Sequence, residues 1–128
     1  MASLIVSKDD KKPSVITARF NEFGTPLYAS INLNIVDNDI EGGYIWDELV
    51  LPEFALSNIH NAPEDIKYNV LVSHIIKAYY DDNRMSAIVN NYIMDHDDEE
   101  HKQEFLQMQN IRKLAKETAR YIIKNRLF

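Results

Sequence analysis

The chain has 128 residues, 45% hydrophobic and 27% charged, with a net charge of −6 and no cysteine. That size and balance predict one folded domain, residues 1–128, well away from the disordered class. The missing cysteine excludes disulfides, thiolate metal sites and cysteine nucleophiles, and no apolar run approaches the ~20 residues of a membrane span.

Leu4-Ile5-Val6 is a short β candidate ahead of the charged break Lys8–Pro13. This apolar patch is too short for a signal-peptide core, so the protein is expected to fold in a cytoplasm or in something assembled there. Ser14 to Phe20 reads as a strand rich in β-branched residues, with Ile16, Ala18 and Phe20 on one side. Asn21 to Pro26 is turn chemistry, and Leu27 to Val36 is the strongest strand. Its apolar residues Leu27, Ala29, Ile31, Leu33 and Ile35 alternate with Tyr28, Ser30, Asn32 and Asn34. After the turn Asp37–Gly43 comes a last strand, Tyr44 to Leu51. Its apolar residues fall on both faces, which predicts a sheet edge or a strand with both faces partly covered. Pro52 ends it.

Near residue 60 the rhythm changes from every second position to every third or fourth. Three helices follow, over 63–80, 84–94 and 98–126. The first has Ile66, Val70, Leu71, Ile75 and Ala78 inward, and the second has Met85, Ile88, Val89 and Tyr92. The third has Phe105, Met108, Ile111, Ala115, Ala119 and Ile122, opening with acids and closing with Lys124 and Arg126 as the helix dipole favours. The fold class is therefore α+β. A small antiparallel meander of three or four strands, residues 4–51, packs against three C-terminal helices; the β half is 1–52 and the α half 61–128. A sheet this small needs its apolar face covered to be stable. No internal repeat is present at a period of 20–50 residues.

The charge is uneven. Residues 1–96 hold 14 acidic and 7 basic side chains, and residues 97–128 hold 6 and 7. The acidic front argues against broad nucleic-acid binding, which rests on Lys and Arg displacing counterions. Arg112, Lys116, Arg120 and Lys124 do fall on one stripe of the last helix, the pattern that tracks a phosphate backbone. With Glu117 interleaved and the apolar seam opposite, a solvated helix face explains it better. The run Asp95 to His101 offers oxygen and imidazole ligands, yet it lacks calcium-loop spacing and helix capping accounts for its carboxylates. Ser73 and His74 are helical neighbours that point in different directions, so they form no nucleophile–base pair. No Gly-x-Ser-x-Gly, His-Glu-x-x-His or phosphate-binding glycine loop occurs. The residues imply no enzyme and no cofactor.

The aromatics Tyr44, Trp46, Tyr79, Tyr80, Tyr92 and Phe128 read as core or interface. Candidate contact surfaces are the N-terminal residues Leu4, Ile5 and Val6, expected to be unpaired and free to add a strand to a partner sheet. The apolar tail of the last helix, Tyr121, Ile122, Leu127 and Phe128, is the second candidate. A third helix of ~29 residues has more apolar side than a small sheet covers, which predicts a homo-oligomer, a dimer.

Three stretches together carry a resemblance. They are Tyr44 to Pro52, a tryptophan-centred strand running into proline; Val70 to Tyr80 followed by Met85 to Tyr92; and Glu104 to Lys116. Their more specific parts are Asn90-Asn91-Tyr92 and the Phe105-x-x-Met108-Gln109 segment. Over about residues 44–120 the chain resembles small proteins encoded by tailed phages and prophages of gut Bacteroidales, including crAss-like phages. It departs from that pattern at Asn110, where the family has an aromatic residue nearby. The resemblance implies a virion or tail-region structural protein whose partners are capsid, tail or fibre proteins, with no catalytic residues to carry over. A small regulatory or nucleic-acid-binding phage protein is the alternative.

Overall fold

The computed structural model describes residues 3–128. Its strands are β1 (Ser3–Asp9), β2 (Ile16–Phe20), β3 (Pro26–Asp37) and β4 (Tyr44–Val50). A 3-10 turn, Glu53–Ala55, leads into helix α1 (Leu56–His60), and α2 (Glu64–Tyr79), α3 (Asp82–Met94) and α4 (Glu99–Lys124) complete the chain. The protein is α+β, an antiparallel four-stranded sheet with the C-terminal helices packed on it. The three long helices lie within two residues of their expected bounds.

The sheet order is β1-β4-β3-β2. β2, β3 and β4 form the expected meander, while β1 lies on the far side of β4. That arrangement corrects one expectation and decides between two others. The N-terminal segment is longer than residues 4–6 and is paired along one side, with register from Ser3↔Val50 to Asp9↔Tyr44. β4 is an interior strand, the second of the two expected alternatives, with both faces partly covered. Its mixed pattern follows from that position, since Leu49 is fully buried on the helix side and Trp46 is buried on the opposite side. Residues 10–15 carry the chain from one sheet edge to the other, about 14 Å at the usual strand spacing. Asn32 holds the end of this connection, its Nδ2 donating to the Ser14 carbonyl (2.7 Å) and to Thr17 Oγ1 (3.0 Å).

Two bulges frame β3. Arg19 pairs with Tyr28 but Phe20 pairs with Pro26, so Leu27 is an extra residue. Leu33 pairs with Asp47 and Val36 with Ile45, and between them Asn34 takes a left-handed backbone (φ 52°), which a short amide side chain tolerates. Only the middle of the alternating run therefore reaches the core. Ala29, Ile31 and Leu33 are buried, whereas Leu27 is 56% exposed.

The core joins Ile16, Ile31, Leu33 and Leu49 of the sheet to Leu71 and Ile75 of α2 and to Ala115, Ala119 and Ile122 of α4. Alanines at 115 and 119, both fully buried, suit the close packing of α4 on α2. Leu56 and Ile59 of α1 fill its end. This helix was not expected, because residues 53–60 are too few to show a helical period. Ile66, expected inward, is half exposed. α3 packs on the first half of α4 around Ile88 and Met108, with Tyr92 stacked on Phe105 (4.2 Å, 8°). The apolar side of α4 is thus largely covered within the chain, so the excess that suggested a dimer does not lie on this helix.

Candidate docking surface

β1 is a sheet edge. Opposite residues share a face, so Leu4 and Val6, facing Leu49 and Asp47, lie on the helix side, and Ile5 and Ser7, facing Glu48 and Trp46, lie on the outer side. Leu4, Ile5 and Val6 are 36%, 51% and 73% exposed, and none of them belongs to the core cluster. Among the described residues the outer edge of β1 has no partner strand. Backbone donors and acceptors along such an edge form a template for another strand.

Two carboxylates of β4 brace the strand that carries β1. Glu48 accepts from Tyr28 Oη (2.6 Å) and from Ser7 Oγ (3.1 Å), tying β3, β4 and β1 together on the outer face. Burial, then this bond, raises the Tyr28 phenol above its ordinary value. On the helix side Asp47 Oδ2 accepts from Tyr79 Oη (2.7 Å) and from Asn34 Nδ2 (3.2 Å). Burial first, and the bond to Asp47 second, push the Tyr79 hydroxyl far up, so it stays a donor. At the far end Lys8 pairs with Glu41 of the β3–β4 turn, an exposed contact of small energetic worth. Gly43 in that turn has a positive φ, and a Cβ there would lie 2.5 Å from the Asp9 carbonyl oxygen. The turn backbone therefore presses directly on the end of β1.

The second candidate surface does not survive intact. Tyr121 and Leu127 are 51% and 37% exposed, but Ile122 is fully buried and Phe128 nearly so. Ile122 lies on the inward seam of α4 with Ala115 and Ala119, whereas Phe128 is buried by how the helix ends. Arg126 adopts a left-handed conformation (φ 52°), its N–H bonding the Ile123 carbonyl while the Leu127 N–H bonds that of Ile122. The chain turns back, and the Phe128 ring packs against His60 (5.1 Å) and Phe20 (6.1 Å). Lys67 Nζ donates to the Phe128 carbonyl oxygen at 3.2 Å. Ile122 and Phe128 are core residues rather than contact residues.

The basic stripe lies along α4 as its spacing requires, with Arg112 half-buried and Lys116, Arg120 and Lys124 exposed. The Arg120 guanidinium sits 5.6 Å over the Tyr68 ring, so α2 already occupies one of the four. Asp81 and Asp98 cap α3 and α4, accepting from the N–H groups of Arg84 (2.7 Å) and His101 (3.0 Å). Asp95, Asp98 and His101 each bring a ligand atom within 4.8 Å of the others, a grouping that follows from that capping turn. Asn110 lines an open groove with Tyr79, Tyr80, Arg84, Gln107 and Ile111.

Sequence reasoning missed Phe23 and Phe54, 83% and 81% exposed. Phe23 had a readable signal: a phenylalanine among the turn residues Asn21–Gly24 has no core to enter. No family model, curated protein or solved structure matches this chain.

Proposed function

We propose that this protein is a non-enzymatic structural component of a tailed-phage virion, a small docking module for capsid, tail or fibre proteins, and that it assembles through the open edge of β1. The observation that carries the docking is that edge, seven residues long, with Leu4, Ile5 and Val6 exposed at its centre. An added strand gains main-chain hydrogen bonds of roughly 0.5–1.5 kcal/mol net each, and the alternating side chains supply register and selectivity. The assignment to a virion rests on the resemblance over residues 44–120. Mass spectrometry of purified particles should find the chain in stoichiometric amount. Its absence from particles at every stage of assembly would contradict the proposal.

A further inference from the structure

The composition of β1 fits a particular partner for its edge. Residues Ser3-Leu4-Ile5-Val6-Ser7 run polar, apolar, apolar, apolar, polar, and read the same way in either direction. Antiparallel pairing about a two-fold axis through Ile5 places Ile5 opposite its copy, Leu4 opposite Val6, and Ser3 opposite Ser7. A two-fold contact requires a surface complementary to itself, and this segment has that property.

Apolar pairing fixes the register. With the axis at Ile5, Lys8 and Asp9 of each copy lie beyond the matched five residues, so no like charges face each other. Moving the axis to Val6 would set Leu4 against Lys8 and Ile5 against Ser7, sacrificing every apolar pair but one. The strand is regular, its seven pairs with β4 uninterrupted by a bulge, so no kink prevents a neighbour from pairing along it.

We propose that the occupant of the β1 edge is β1 of a second copy of this chain, giving a continuous antiparallel sheet in the order β2-β3-β4-β1-β1-β4-β3-β2. Leu4 and Val6 then form two symmetric apolar pairs on the helix side, and the two Ile5 side chains meet on the outer side. Opposed apolar pairs are the unit of stabilisation between strands. The contact is narrow, so association is concentration-dependent rather than permanent. The inference rests on reading β1 as a docking edge and names what docks there.

The test combines mass with register. Light scattering on the wild-type protein is expected to show its mass rising from one chain to two with concentration. Val6→Lys is expected to hold it at one chain at all concentrations, with an unchanged circular dichroism spectrum. Because the chain has no cysteine, single cysteines report the register. Under an oxidised thiol buffer, Ile5→Cys should form covalent dimers at least tenfold faster than Val36→Cys, whose site is exposed but away from the edge. A mixture of Leu4→Cys and Val6→Cys should cross-link faster than either alone. A wild-type monomer at every concentration, or a dimer that ignores Val6→Lys and cross-links no faster at Ile5 than at Val36, would overturn self-pairing. If Val6→Lys fails to fold, the cysteine rates decide alone. Docking to a different protein is separable, because a monomeric wild type whose Val6→Lys variant is lost from particles would retain the docking reading without self-pairing.

Discussion

The two edges of the sheet are built differently. β2 has five residues against seven in β1, carries Arg19 near its end, and faces a bulge at Leu27 that breaks its register with β3. Short length, a charge and a bulge are the features by which proteins discourage pairing along an edge. β1 also ends on charges, Lys8 and Asp9, but it is longer, unbroken by a bulge and exposes three branched apolar side chains at its centre. An edge left open beside one that is blunted marks where another strand belongs.

The contrast depends on β4 holding β1 in place, and the largest expected effect comes from removing that support. Leu49, fully buried between Leu4 and Ile31, anchors β4 to the core. Leu49→Ala should cost about 2–5 kcal/mol by urea denaturation and loosen both edges together. Gly43→Ala should act on one edge alone. Its positive φ costs about 1–3 kcal/mol for a residue with a Cβ, and the clash with the Asp9 carbonyl displaces the end of β1. Amide exchange should quicken along β1 while β2 is unchanged.

Smaller effects separate bracing from docking. Tyr28→Phe removes one bond to Glu48 and should cost about 1 kcal/mol in urea denaturation. Val6→Lys replaces an exposed side chain and should change stability by less than ~0.5 kcal/mol while preventing association. The pH response treats both edges alike. Burial holds the His74 imidazole below its ordinary value of 6.5, so the unfolded chain binds the proton more readily. Stability should therefore be full above the unfolded value and fall as pH drops through it toward the lower folded value. Urea midpoints at about pH 7.5 and 5.5 should differ more for the wild type than for His74→Gln.

Much of the architecture was legible in sequence because periodicity reports burial. β3 and the three long helices carry their period over many residues, and Asp81 and Asp98 mark helix starts by side-chain chemistry. What escaped was set by contacts distant in sequence. Nothing local in residues 3–9 says that β1 would pair with β4 across some forty residues, making β4 interior. The bulges that turn Leu27 outward and stop the alternation at Leu33 depend on register between strands. The docking of Phe128 was hidden because Arg126, not glycine, takes the left-handed position after α4. Of the contact candidates, the β1 residues were readable as exposed and apolar, Ile122 already belonged to the inward seam that the period of α4 marks, and Phe128 looked exposed until the chain reversal placed it in the core.

Hydrogen exchange followed at increasing protein concentration probes the two edges in one experiment. Amides of β1 residues 4–7 should become more protected as concentration rises, whereas those of β2 should exchange at a constant rate. Exchange on β1 that stays as fast as on β2 at every concentration would contradict the assignment of β1 as the edge where copies of the chain meet.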